Sequence, residues 1–176
     1  LKNGLQARSG TDPIPIYFRA DDIGVISQSF KDLLDLFSRY QTPLCLAVVP
    51  AWLTSRRWAA MTTICDVSSA LWCWHQHGWR HQNYQLSGKK CEFGSDRSVE
   101  AISTDILKGR SRLQTIMGPS FSPFFTPPWN RCSEQTLIQL HETGFKAVSR
   151  DRIVGLYPSS PIIDLPVTVD LHTRRE

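Results

Sequence analysis

The sequence lacks the signals of several protein classes. None of its five cysteines (Cys45, Cys65, Cys73, Cys91 and Cys132) stands at C-x-x-C spacing from another, and the count is odd. A disulfide framework and a zinc finger are therefore not expected. Cys45 and Cys73 lie inside apolar runs and read as small core residues. The longest nearly apolar run, Pro43 to Leu53, is too short to cross a bilayer. Lys and Arg are scattered, the net charge is a mild +4, and no basic stripe interleaves with aromatics. Nucleic acid is accordingly not an expected partner. The chain has no internal repeat and no low-complexity stretch, and its opening residues show no charged-then-apolar leader pattern. With the cysteine usage, this gives the expectation of a reducing, cytoplasmic compartment.

What remains is the composition of an ordinary globular protein. The chain has 176 residues, 41% of them hydrophobic and 20% charged, which fits one domain with a real core. Residues 1–12 are polar and read as a lead-in, and 13–176 as the single domain. Pro15 to Arg19 reads as a buried strand ending at Asp21-Asp22. Ser27 to Tyr40 carries Phe30, Leu33, Leu34 and Phe37 at i, i+3, i+4, i+7 and predicts an amphipathic helix. Pro43 to Pro50 reads as a buried strand, Leu53 to Cys65 as a helix, and Ala70 to Trp74 as a strand delivering His75 to His81. Ser98 to Met117 predicts a long helix that Gly109 weakens. Phe121 to Thr126 is a further strand, stopped by Pro127-Pro128. Ser133 caps a helix with Leu137 and Leu140 buried and Gly144 at its end. Lys146 to Ser149, Ile162 to Asp164 and Val167 to Leu171 are strand-like. Alternating strands and helices predict an α/β fold with a mostly parallel sheet.

The polar candidates fall just after strands: Asp21-Asp22, His77, Trp129-Asn130 and His172. In such folds sites gather at the carboxyl ends of strands, so these segments point to one rim. If Gly78 to His81 begin a helical turn, His77 and His81 share a face with Cβ atoms about 5–6 Å apart, which suits one small divalent ion. The alternative is two unrelated histidines at a helix start. Asp21 and Asp22 cannot point the same way along an extended segment, which suits one ligand and one free base; the alternative is a capping turn. Phe125 to Arg131 reads as a rigid wall beside a site, with Trp129 offering a flat face, or as a Pro-Pro turn with a half-buried Trp. His172 reads as a general acid or as a surface residue. His75 and His141 have only structural readings. Glu92-Phe93-Gly94, after Ser87-Gly88-Lys89-Lys90, has no stronger reading than a loop over the rim.

These pieces, in this order, resemble the polysaccharide deacetylase family (the NodB-homology domain). Phe18-Arg19-Ala20-Asp21-Asp22-Ile23-Gly24 is similar to its first motif, and His77-Gly78-Trp79-Arg80-His81 to its H-[ST]-x-x-H motif. Thr126-Pro127-Pro128-Trp129-Asn130 is similar to its proline-containing groove wall, and Leu171-His172 to its last motif. The resemblance spans about Ile14 to His172. It implies a distorted (β/α) barrel with fewer than eight repeats and one catalytic domain. The chain is short for the family, as a fragment cut at its C-terminus or a trimmed member would be. Three departures stand out. Gly78 replaces the hydroxyl residue of the second motif. The arginine that precedes the family's proline is missing, leaving Arg131 or Arg19 to hold the catalytic aspartate. The aspartate-tryptophan motif is not evident, although Asp164 and Asp170 lie in the right region.

The resemblance implies that Asp22, His77 and His81 bind one divalent metal, Zn2+ being expected, with Asp21 as base and His172 as acid. Pro128, Trp129, Asn130 and Arg131 would face a carbohydrate substrate with an N-acetyl group, and the reaction would be hydrolysis of that amide. Two alternatives stand beside it: a metal hydrolase of a non-sugar amide, and a carbohydrate-binding relative that has lost turnover.

Overall fold

The computed structural model describes residues 16–151 and 162–171. Its frame is six strands: β1 (Phe18–Ile23), β2 (Leu44–Val48), β3 (Trp72–His77), β4 (Phe121–Thr126), β5 (Ala147–Asp151) and β6 (Ile163–Val167). All pair in parallel and in sequence order, so each strand lies beside its neighbours in the chain. The helices α1 (Gln28–Arg39), α2 (Ser55–Met61), α3 (Val99–Met117) and α4 (Glu134–Glu142) cross between strands. β1 and β5 are four places apart in the sheet, yet the Tyr17 hydroxyl lies 3.0 Å from Ser149 Oγ and donates to the Leu165 carbonyl at 2.9 Å. The sheet must curl for these to meet, and the result is a half-barrel, a distorted (β/α) barrel with fewer than eight repeats.

Each helix starts where its sequence supplies a side-chain acceptor. Ser27, Thr54, Ser98 and Ser133 accept from the backbone N–H three residues on, at α1, α2, α3 and α4 in turn. One apolar cluster joins Phe30 and Leu34 of α1 and Trp58 and Met61 of α2 to Leu46, Val48 and Trp74 of the sheet. A second joins Ile102 and Ile106 of α3 and Leu137 and Leu140 of α4 to Phe125 and Val148. Among the described residues, no helix is long and apolar enough to cross a membrane.

Several expectations need correction. β1 is an edge strand with Phe18 exposed, not a buried one, and it runs on through both aspartates to Ile23. α2 is shorter than Leu53 to Cys65. The last strand-like stretches form one strand, with residues 168–171 irregular; Pro166 is tolerated there because β6 is the other edge. Gly109, which weakens α3 in isolation, is a packing necessity. A Cβ at this position would stand 2.2 Å from Gln76 Nε2, and that amide is fully buried while donating to Gly78 O and Ile106 O. Gly109→Ala is therefore expected to destabilise the chain by about 1–3 kcal/mol in urea unfolding, despite alanine's better helix propensity.

Candidate metal centre

The carboxyl ends of β1, β3 and β4 meet at one rim. His77 closes β3, is 1% exposed, and places Nδ1 3.0 Å from the Thr126 carbonyl oxygen on β4. A carbonyl can only accept, so Nδ1 carries the proton and Nε2 keeps its lone pair for the rim. Nε2 faces Asp22 Oδ1 at 3.4 Å, and His81 Nε2 faces the same oxygen at 3.2 Å. The three ligand atoms lie within 4.8 Å of one another. Tetrahedral bonds of about 2.0–2.1 Å set neighbouring ligand atoms about 3.3–3.4 Å apart, so the donor set fits a zinc-like ion in type, and the two Asp22–histidine pairs fit it in spacing. Burial holds the His81 imidazole below the usual histidine range, against the opposing pull of Asp22, which favours the neutral form a metal needs.

The backbone departs from expectation to achieve this. Gly78 to His81 do not begin a helix: Gly78 has φ +56° and His81 φ +58°. Asp22 has φ +61° at an irregularity in the β1–β2 register, so strand alternation does not hold there. That twist brings both aspartates to the rim. Of the five described non-glycine residues with positive φ, four (Asp22, His81, Trp129 and Asn130) belong to this region. Such strain persists only where surrounding contacts impose it, and it concentrates at functional sites.

Asp21 has a different partner. Arg19, two residues earlier on β1, grips it with two hydrogen bonds, Nε to Oδ1 at 2.7 Å and Nη2 to Oδ2 at 2.9 Å. Arg19 also donates to Asn130 Oδ1 and to the Ser149 carbonyl. Of Arg131 and Arg19, it is Arg19 that reaches Asp21. Arg131 instead donates to the Lys90 carbonyl at 3.3 Å, so its guanidinium is directed to the neighbouring loop. Asn130 is directed to Arg19 rather than outward. Pro128 is buried against Gly78. Trp129 packs against His81 with ring centroids 4.5 Å apart and the ring planes tilted by 58°. His172 lies outside the described residues. Asp164 is bound to Arg150 on β5 at 2.7 Å.

Two participants were missed from the sequence. Trp52, in the loop after β2, stands 5.8 Å from the His81 ring, so the imidazole lies near two indoles. Glu92 is fully buried and accepts three backbone N–H groups: Arg80 at 2.8 Å, His81 at 3.2 Å and Trp79 at 3.3 Å. Burial pushes its carboxyl pKa up, and those N–H groups pull against the shift. No motif flags either residue.

Gly78 follows from the same arrangement. A Cβ there would lie 2.2 Å from Glu92 Oε2 and 2.6 Å from Pro128 Cγ, on a backbone already in the left-handed region. Gly78→Ser, which restores the usual hydroxyl, is therefore expected to destabilise the fold by about 2–5 kcal/mol in thermal or urea unfolding.

The sequence pattern of the polysaccharide deacetylase family matches residues 8–148. No curated protein matches the chain. Among solved structures, the chain is similar to IcaB from Ammonifex degensii, at 15% identity and TM-score 0.65 over 87% of this chain and 67% of that one. It is similar to the family 4 carbohydrate esterase from Streptomyces lividans, solved with acetate, at 12% identity and TM-score 0.57 over 78% and 62%. The Xyl-CE4 domain of a xylanase from the hindgut metagenome of Trinervitermes trinervoides gives 15% identity and TM-score 0.56 over 77% and 57%. The chain thus spans about half to two thirds of the length of these proteins.

Proposed function

This chain belongs to the polysaccharide deacetylase family, and from that premise we propose that residues 13–176 form one catalytic domain that hydrolyses the N-acetyl amide of a sugar or polysaccharide with one divalent metal. The observation that carries this reading is the convergence of Asp22, His77 and His81, both histidines 3.2–3.4 Å from Asp22 Oδ1 and all three ligand atoms within 4.8 Å of one another, with a second aspartate held beside them by Arg19. Two histidines and one carboxylate leave coordination positions open, as catalytic sites do and closed structural sites do not. When bound, zinc or a similar ion supplies a Lewis acid that polarises the amide carbonyl and acidifies water.

The chain's own residues do the rest. Asp22, His77 and His81 hold the ion at the rim. The His77 tautomer is fixed by the Thr126 carbonyl, so its Nε2 is always the ligand. Asp21 takes the proton from the attacking water, and the Arg19 fork keeps it from turning toward the ion. Trp129 offers an apolar face on which a sugar ring can stack. His172 donates a proton to the departing amine, a role drawn from its motif. The test is acetate release from N-acetylated oligosaccharides, together with metal content of the purified chain. Acetate release that a chelator abolishes and zinc restores is expected. Bound metal with no release from any acetylated sugar would favour hydrolysis of another amide, and sugar binding without metal would favour a binding protein.

A further inference from the structure

We propose that Glu92 is the positioning residue that builds the His81 half of the metal centre: residues 79–81 fold around its buried carboxylate, and that sets where the His81 imidazole stands. This rests on the metal reading above. The two histidines are fixed in different ways. His77 belongs to β3, whose ladder to β2 and β4 defines its backbone, and its ring is tied to Thr126. His81 belongs to no helix or strand and has φ +58°. No repeating hydrogen-bond pattern places it. In place of one, the consecutive N–H groups of Trp79, Arg80 and His81 all point at the two oxygens of Glu92. Three donors converging on one carboxylate define a tight loop in the way a bound anion defines a backbone nest.

The carboxylate stands on a fixed base. The next residue, Phe93, is fully buried, and its ring packs edge-on against Phe125 at 5.3 Å. Its carbonyl accepts from the Ser133 N–H at 2.9 Å and from the Thr136 hydroxyl at 2.8 Å, at the start of α4. Arg97 Nη1 donates to the Glu92 carbonyl at 3.2 Å. Glu92 thus refers the position of His81 to the barrel wall. It also accounts for the missing hydroxyl at position 78, since Oε2 fills the space a side chain there would need.

The chemistry separates this role from general support. Glutamine in place of Glu92 presents one oxygen and one NH2 group, so at least one backbone N–H meets another donor and the loop loses its shape. Outer-shell partners of metal ligands typically cost 10–100-fold in affinity when altered. The experiment is zinc titration of the full metal-free chain against a chromophoric chelator, for the unaltered chain, Glu92→Gln and Glu92→Asp. Glu92→Gln is expected to raise the zinc dissociation constant about 10–100-fold with one site per folded chain retained. Glu92→Asp, which keeps a carboxylate drawn back by one methylene, is expected to bind with intermediate affinity, and it decides the matter if Glu92→Gln does not fold. A merely structural role would lower the number of sites per chain and leave the constant unchanged. Tight, equal constants in the unaltered chain and the folded variants would overturn this inference alone. Absence of zinc binding by the unaltered chain would overturn the metal reading, and this inference with it.

Discussion

Asp21→Asn is expected to bind zinc as tightly as the unaltered chain and to lose deacetylation by about 10²–10⁴-fold in kcat, the range a general base contributes. The geometry separates the two effects. Asp21 lies next to Asp22 in the chain, but its oxygens are taken by the Arg19 fork at 2.7 and 2.9 Å, whereas Asp22 faces both histidines. Replacing one oxygen with NH2 leaves Asp22, His77 and His81 intact while removing the carboxylate proposed to accept a proton from water. It also sets a donor against the guanidinium, so the amide turns or the fork opens. Zinc content by elemental analysis and kcat on an N-acetylated oligosaccharide make the comparison. Full activity in Asp21→Asn would show that another group is the base.

His77→Ala should give the opposite pattern, with affinity for zinc down by more than about 10²-fold and activity lost with it. A first ligand matters more than an outer partner, and His77 is the best-anchored of the three, being 1% exposed and tied to Thr126. Because it is buried, the substitution also leaves a cavity, so the metal-free chain should melt at a lower temperature. His81→Ala lacks that complication to the same degree, since its ring is partly exposed and lies near two indoles. If both alanine variants bound zinc as the unaltered chain does, the assigned centre would be wrong.

Much of the fold was legible in the sequence because its strands and helices carry clean periodicities and caps. Phe121–Thr126 was bounded on one side by the prolines that stop it, and α1 by Ser27 and its apolar stripe. The fold class followed from strand and helix order, and the family from four motif pieces in order, of which the aspartate pair and His77-x-x-x-His81 are the most specific. Misreadings concentrate where the backbone leaves regular geometry. The helical turn expected from Gly78 is an irregular segment with left-handed φ at Gly78 and His81, and Asp22 escapes strand alternation through its positive φ. Periodicity describes repeating dihedrals, so it is silent at single strained residues. Arg19 was within reach, because residues i and i+2 of a strand share a face and Arg19-Ala20-Asp21 places a cation beside the aspartate. Glu92 was not, since its partners are backbone N–H groups, which every residue but proline has and no sequence pattern marks.

The order of assembly follows from how the barrel ends are tied. Every strand pairs with its chain neighbour, so the sheet can grow unit by unit from local contacts. The hydrogen bonds of Tyr17, and those of Arg19 beyond Asp21, are different: they join residues 111 to 149 positions apart. Contacts of such separation form late, because the intervening chain must first be ordered. The fork on Asp21 shares a guanidinium with Asn130 and Ser149, so its full set of partners exists only once β5 has been made and docked. On the ribosome, the proposed metal ligands are all synthesised by residue 81, but His77 gains its Thr126 partner only with β4 and His81 its Glu92 partner only once that loop is made, and Asp21 gains its final orientation only when the far side of the barrel closes.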